Sequence, residues 1–469
     1  MDPEEFRRYG HLLIDWLADF RGRAATQPVL RAVAPGDCAK ALPEQPAEQG
    51  AGFAAVLQDL EAAIAPNLAH WQHPRFFAYF PSNGDLSTVL ADLLSTGLGV
   101  LGLNWQSAPA LTELEMRATD WLRQLLGLSA AWSGVIQDTA STSSLIALVC
   151  ARERTLQYGA ARGGLQAHGA PLCVYTSSEA HSSIDKAVQL AGFGKDQLRK
   201  IPTDANRAID PNALRAALAA DRAAGRTPCT IVATTGTTAT TAMDPIDAVA
   251  ALAREFGAWL HVDAAMAGAA MLLPECRPLW HGIEQADSLV LNPHKWLGVA
   301  FDCSTYYVRD VQHLVRVMST NPSYLRTDVD GEVVNYRDWG IALGRRFRAL
   351  KLWALLRTHG AATLRTRLRR DLANARWLAE QVAATPPWRV LAPVPLQTVC
   401  IRHEPPGLQG DELDRHTLAW LERVHRSGAA WLTPAQLDGR WMVRVSIGAL
   451  ATERSDVAAL WQALQAAVG

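Results

Sequence analysis

The chain reads as an α/β protein built on a mainly parallel sheet, and three observations carry that expectation. Between about Gly84 and Arg357, apolar runs rich in β-branched residues recur: LCVYTS (172–177), CTIVATT (229–235), AWLHVDAA (258–265) and DSLVLN (287–292). Helical periods separate them, DAVAALAREF (247–256) most clearly, and such alternation is the pattern of βαβ units. The runs are continuously apolar rather than alternating, as strands buried on both faces must be. Polar residues gather just past the runs, at the carboxyl ends of the expected strands, where open parallel sheets bind ligands.

Around this core the sequence suggests two further segments. Residues 4–20 space Phe6, Leu13, Trp16, Leu17 and Phe20 as an amphipathic helix. A Pro- and Ala-rich linker is expected from Pro28 to Pro46, then a second helix from Phe53 to Ile64. Neither helix has an evident partner nearby, so their apolar stripes point to a dimer interface. After Gly360 the chain turns Arg-rich and helical, then offers short strands such as WMVRVSIG (441–448). The expected organisation is 1–83 as an N-terminal helical dimerisation segment, 84–357 as a large α/β domain, and 358–469 as a small C-terminal α+β domain.

Bulk properties exclude several function classes. With 469 residues the chain exceeds one ordinary core. The formal net charge is −1 and the charges are interspersed, so no single-sign tract grips nucleic acid or an anionic membrane. The opening MDPEEFRRYG lacks a secretory apolar region, and no run of 18 apolar residues suggests a span. The seven cysteines are scattered and never form a CxxC pair, which suits reduced thiols in a cytoplasmic protein, with neither a disulfide framework nor a metal site expected.

Of the six lysines, Lys40, Lys186, Lys195, Lys200 and Lys351 lie in polar loops or helical segments, where a solvated charge needs no explanation. Lys295 follows an apolar strand in LNPHKWLG; burial lowers an amine's pKa and frees it to attack a carbonyl. Asp263 ends the strand of LHVDAA, a position suited to holding a pyridine nitrogen protonated. Thr139, Ala140 and Ser141 open a helical run whose free N–H groups can hold a phosphate. His181 in SSEAHSS can lie on a ring face, and Thr238 in TTGTTATT can bond a ring substituent. Taken singly, each has an ordinary structural explanation: a snorkelling lysine, capping residues, a core histidine, a Thr-rich strand end. Their order and shared strand-end placement point to pyridoxal 5'-phosphate (PLP).

The segments HPRFFAYFPS, SAPALTELE, HVDAA, NPHKWL, NPSYL and LGRRFRALKLW together resemble the group II PLP-dependent decarboxylases, specifically the aromatic-L-amino-acid decarboxylase family, over nearly the whole chain. The resemblance implies the PLP-dependent transferase-like fold (aspartate aminotransferase, fold type I). It also implies a homodimer with active sites at the subunit interface, and decarboxylation of an aromatic amino acid to its amine. It makes Lys295 the Schiff-base lysine, sets Asp263 on the pyridine nitrogen, and puts Ala265 and His181 on opposite ring faces. Ala140, Ser141, Asn292 and His294 would contact or support the phosphate and active site. Tyr324 would protonate the substrate carbon from a mobile loop. Trp71, Tyr79, Phe80 and Pro81 would line the substrate pocket, Leu101 and Leu103 would enter it from the second subunit, and Gly344 would leave room for a large ring.

Met266, Thr142 and Leu103 depart from the commonest family pattern, which expects tyrosine, glutamate and often an aromatic residue there. The first two leave the chemistry intact, and Leu103 bears on the choice of substrate. GLGVLG (97–102) formally matches a dinucleotide fingerprint, but a helical run rather than a strand precedes it. An aldehyde-forming oxidative deaminase and a silent binding protein on the same scaffold remain as rivals, opposed by the retained Tyr324 and by the complete set of Lys295, Asp263 and His181. No HExxH, GxSxG or Walker A pattern is present.

Overall fold

In the computed structural model, all residues except Ala32, Ala47, Asn321, Pro322, Tyr324, Leu325 and Arg326 are described. The apolar runs form a seven-stranded sheet: β1 (Ser133–Gln137), β2 (Leu172–Ser177), β3 (Leu198–Ile201), β4 (Thr227–Thr234), β5 (Trp259–Asp263), β6 (Ser288–Leu291) and β7 (Ser304–Val308). Their spatial order is β1-β7-β6-β5-β4-β2-β3. Pairing is parallel from β3 through β6, while β7 runs antiparallel to both β6 and β1. Each of the four runs named above became a strand, because β2, β5 and β6 are buried at every residue and β4 at all but its first. A half-exposed strand would have needed polar alternation instead.

Helices cover the sheet. The helix Ala140–Thr155 buries Ile146, Ala147, Leu148, Cys150 and Ala151 in one cluster with Val174, Val232 and Tyr306. The helix Ile246–Phe256 links β4 to β5 and stops at Gly257, whose φ of +71° provides the left-handed cap that β-carbon residues resist. The run before GLGVLG is the helix Leu86–Gly97.

Contacts group the chain into two compact units, where the sequence suggested 1–83, 84–357 and 358–469. The larger unit is 82–375 with 392–398, and the smaller is 1–81 with 376–391 and 399–469. The small sheet has the order β10-β11-β9-β8, with β8 (Trp388–Val390), β9 (Thr398–His403), β10 (Thr433–Leu437) and β11 (Arg440–Ser446). The smaller unit also holds the helices Gly410–Arg426 and Arg454–Val468.

The first helix, Pro3–Gly22, begins with an Asp2–Glu5 capping box and buries none of its residues. Tyr9 meets Phe53 at 5.3 Å between ring centroids, so the second helix is a partial partner that the spacing alone did not reveal. That second helix is α over Phe53–Asp59 and widens to π over Leu60–Ile64. The expected linker contains a one-turn helix, Asp37–Ala41. No helix among the described residues is long and apolar enough to cross a membrane.

Candidate active site

The carboxyl ends of β2, β4, β5 and β6 bring the polar residues of the larger unit together. Asp263 closes β5, paired in register with Thr234 of β4 and Val290 of β6. Its carboxylate is 4% exposed and accepts the Ala265 N–H at 3.0 Å; among the described residues no second hydrogen bond is made to it. The Asn292 N–H donates to the Ala265 carbonyl at 2.9 Å, tying the turn after β6 to the turn after β5. Lys295 lies in that turn, its N–H bonded to the Asn292 carbonyl at 2.9 Å. The charges of Asp263 and Lys295 both act on His181, beyond β2, which places all three in one electrostatic neighbourhood. The His181 Nδ1 accepts the Ser183 N–H at 3.1 Å, so the proton of its neutral ring sits on Nε2.

The helix Ala140–Thr155 supplies the fourth wall. Its N-cap residue, Thr139, makes no side-chain cap bond. The N–H groups of Ala140, Ser141 and Thr142 make no hydrogen bond among the described residues, and a 16-residue helix adds its positive end. Such a terminus accepts a phosphate. Asn292 adds a buried Oδ1 without a hydrogen-bond partner among the described residues. An amide oxygen can only accept, so this atom suits a donor rather than a phosphate oxygen.

Behind this layer lies a supporting one. The Trp296 indole N–H donates to the Asp371 carboxylate at 2.8 Å, and Arg367 bonds the Leu297 carbonyl, so the residues after Lys295 are held from the helix Ala349–Ala383. Burial pushes the Asp371 carboxyl up to about 6. Asp244, wholly buried, accepts the N–H groups of Ile209 and Thr234 at 2.7 Å each, and burial pushes its carboxyl up to about 7. Glu115 of SAPALTELE and Arg345 of LGRRF form a buried pair that brackets Ile136 of β1. The Ile136 N–H donates to Glu115 at 2.8 Å, and Arg345 donates to the Ile136 carbonyl at 2.7 Å. This fixes the strand that leads into the helix Ala140–Thr155.

Histidine titration is suppressed throughout the cluster. Burial, helped by the Lys295 charge, holds His294 down at about 3, and burial holds His261 at about 4. His261 is nonetheless satisfied: its Nδ1 lies 2.9 Å from Ser288 Oγ and its Nε2 3.2 Å from Ser144 Oγ.

One expectation is corrected outright. Lys351 is not a solvated charge: it is fully buried, with its Nζ 3.4 Å from Asp92 and 3.9 Å from Asp302. Its helical setting hid this, because both carboxylates that accommodate it are distant in sequence. Lys295, by contrast, keeps partial exposure.

The remaining predicted residues divide by location. Thr139 and Ala265 are half-buried, Ala140 is buried, and Ser141 and Thr238 are exposed. Leu101, Leu103 and Gly344 come together within one chain. The Gly102 N–H bonds the Arg345 carbonyl at 2.9 Å, and a β-carbon on Gly344 would meet Leu101 Cδ1 at 3.2 Å. Trp71, Tyr79, Phe80 and Pro81 belong to the smaller unit. There Trp71 stacks on Tyr79 at 5.5 Å and Arg444 lies over the Phe80 ring at 5.0 Å. Tyr324 lies outside the described residues. Residues that sequence reasoning missed are Asp302, Arg348, Lys351 and Asp371. The available signal was the three-residue spacing of Arg348 and Lys351, which puts two cations on one helical face.

A buried carboxylate with an oxygen to spare, a lysine in the adjacent turn, a stacking-competent histidine and an uncapped helix start fit the pyridine nitrogen, aldehyde, ring face and phosphate of PLP. They define a fold type I cofactor site. The pyridoxal-dependent decarboxylase conserved domain matches residues 35–404. A tyrosine decarboxylase of Papaver somniferum is 38% identical, covering 99% of this chain and 94% of its own. A phenylacetaldehyde synthase of Arabidopsis thaliana is also 38% identical, covering 99% and 96%. The crystal structure of Oryza sativa TDC with PLP and tryptamine superposes with a TM-score of 0.96 at 34% identity, covering 100% of this chain and 98% of that one. The chain belongs to the group II pyridoxal-dependent decarboxylase family, and it is a PLP-dependent carboxy-lyase.

Proposed function

We propose that this enzyme decarboxylates an aromatic L-amino acid of the tryptophan, phenylalanine, tyrosine or DOPA class to its amine and carbon dioxide, as a cytoplasmic homodimer. The observation that carries the reading is the convergence of Asp263, Lys295 and His181 at adjoining strand ends. The aromatic class is supported by the rice protein holding tryptamine and by the poppy relative's activity on tyrosine. PLP, when bound, supplies an electron sink for the pair left as the carboxylate departs.

In this reading Lys295 holds the cofactor and gives it up to the substrate amine. Asp263 keeps the ring nitrogen protonated, a charge-assisted bond worth roughly 1.5–3 kcal/mol. His181 and Ala265 hold the ring from opposite faces, while Thr238 bonds near its substituents. The N–H groups of Ala140 and Ser141 would bind phosphate, Asn292 and His294 would contact or support the phosphate and active site, and Thr139 shapes the turn before them. Substrate orientation selects the bond that breaks, so positioning rather than a further reagent sets the reaction type. Tyr324 then delivers a proton to Cα.

The homodimer is supported by the apolar residues left exposed in the single chain. Leu86, Leu90, Leu93 and Leu94 line one helix, and Leu94, Leu98, Leu101 and Phe301 are 58%, 58%, 54% and 62% exposed. Apolar surface of that extent is costly in water and suits a second copy of the chain. Because Gly344 touches Leu101, it would accompany Leu101 and Leu103 into the partner's site.

A second reading is favoured by the Arabidopsis relative: an aldehyde product, with dioxygen consumed and ammonia and peroxide released. Product analysis under air separates the two. The wild-type enzyme should yield amine in step with carbon dioxide. Tyr324→Phe lacks only the hydroxyl, so it should keep carbon dioxide release while amine gives way to aldehyde, ammonia and peroxide. Amine as the sole product of Tyr324→Phe would refute the proton-donor role, and aldehyde from the wild type would establish the second reading.

A further inference from the structure

Arg348 and the buried Lys351 of the motif LGRRFRALKLW take no part in the chemistry above, yet both lead back to the cofactor turn. Arg348 grips Asp302 at both carboxylate oxygens, Nε to Oδ1 at 2.9 Å and Nη2 to Oδ2 at 3.2 Å. Lys351, one turn along, sets its buried Nζ 3.9 Å from the same Oδ1 and 3.4 Å from Asp92. Asp302 is thereby fixed between two cations.

The next residue, Cys303, holds His294 from two sides. Its N–H donates to His294 Nδ1 at 3.0 Å, and its carbonyl accepts the His294 N–H at 3.2 Å. A backbone N–H can only donate, so Nδ1 presents its lone pair and the proton of the neutral ring must sit on Nε2. Burial and the Lys295 charge keep that ring neutral. The Phe301 ring packs against the imidazole at 4.9 Å, limiting its rotation.

We infer that Asp302, clamped by Arg348 and Lys351, is a positioning residue that holds His294 beside Lys295 with Nε2 as a fixed hydrogen-bond donor. The inference rests on the Lys295 turn being the cofactor site. A donor with a settled tautomer suits a phosphate oxygen, whereas a ring free to exchange tautomers would often turn a lone pair toward that anion. The clamp therefore acts on cofactor retention through the ring and touches no reacting atom itself.

Two measurements test this, nitrogen NMR of the histidine rings and PLP titration of the apoenzyme, with His294→Gln used to assign the ring. Wild-type His294 should show an unprotonated Nδ1 and a protonated Nε2 at pH 7.5, with and without PLP. Asp302→Asn should average the two nitrogens and raise the PLP dissociation constant at least fivefold. Lys351→Met should do the same, and the double variant should be no more than twofold weaker than the worse single one, because both act through one clamp. A wild-type Nδ1–H overturns the inference even if no variant folds. So does Asp302→Asn with an unchanged tautomer and a PLP dissociation constant within twofold of wild type. Borohydride fixing PLP to a lysine other than Lys295 would defeat the site reading instead, a result distinct from either.

Discussion

The strand-end cluster and the leucine face of the helix Leu86–Gly97 belong to the same unit but are finished to different degrees. At the strand ends a single chain already supplies neutral buried histidines, a carboxylate held by a backbone N–H and a helix start aimed at an anion. On the leucine face it leaves Leu90, Leu93 and Leu94 half or more in water. In the proposed homodimer, the strand-end cluster would be preorganised within one chain, while the surface carrying Leu101 and Gly344 would be completed by a second copy.

The sharpest way to break that comparison is to charge the leucine face. In Leu90→Glu/Leu94→Glu, assembly would bury four unpaired carboxylates, two from each copy, at upward of about 3 kcal/mol each, weakening a dimer by on the order of 10⁸-fold or more. Sedimentation should show a monomer that retains its fold but loses most turnover. A wild-type protein that sediments as a fully active monomer would remove the second copy from the account.

A smaller effect tests the strand-end cluster. His261 and His294 have folded pKa values of about 4 and about 3, against 6.5 in the unfolded chain. Below pH 6.5 the unfolded chain takes up protons that the folded one refuses, so stability is present above that pH and is lost as pH falls. Each histidine contributes up to about 1.4 kcal/mol per pH unit, roughly 2 kcal/mol apiece between pH 7.5 and pH 5, and is opposed by the buried Asp244 and Asp371 carboxyls, held up at about 7 and about 6, which favour the folded state as pH falls. Urea unfolding of the wild type and His261→Asn at the two pH values isolates one ring: between pH 7.5 and pH 5 the stability change of the wild type should be less favourable than that of the variant by roughly 2 kcal/mol. The same pH dependence in both proteins would mean that the His261 ring titrates freely.

The smallest expected effect asks whether the two regions serve one reaction. Gly344 has no left-handed φ, so its backbone does not require glycine, and an added β-carbon meets only the exposed Leu101 side chain. Gly344→Ser should fold and should lower kcat/KM for tryptophan or DOPA relative to histidine by roughly 1–3 kcal/mol. Equal losses for every substrate would show that Gly344 shapes the interface rather than the ring pocket.

Sequence was a good guide to whatever depends on local pattern. LCVYTS and DSLVLN read as strands because full burial demands unbroken apolar runs; Lys295 stood out because it follows such a run, Asp263 because it ends one, and Ala140 because it opens a helical run. It was a poor guide to whatever depends on distant partners. Lys351 looks like any helical lysine until Asp92 and Asp302 are beside it. Trp296 gives no hint that its indole bonds Asp371. The pairing of Glu115 with Arg345 joins two motifs that are recognisable separately, but only folding shows that they bracket Ile136. The first two helices appeared without partners because an aromatic contact such as Tyr9 with Phe53 leaves no periodic trace.

The bare start of the helix Ala140–Thr155 has a consequence for the lifetime of the protein. Thr139 leaves its cap bonds unmade, and an absent cap typically forgoes about 1 kcal/mol. A phosphate bound there, as proposed, would complete a structural element as well as a chemical one. A ligand present at a hundred times its dissociation constant adds about 2.7 kcal/mol to folding stability, enough to lower the unfolded fraction roughly a hundredfold. Under that proposal, chains without the cofactor would spend more time unfolded and be more open to proteases, so cofactor supply would bear on how much enzyme accumulates.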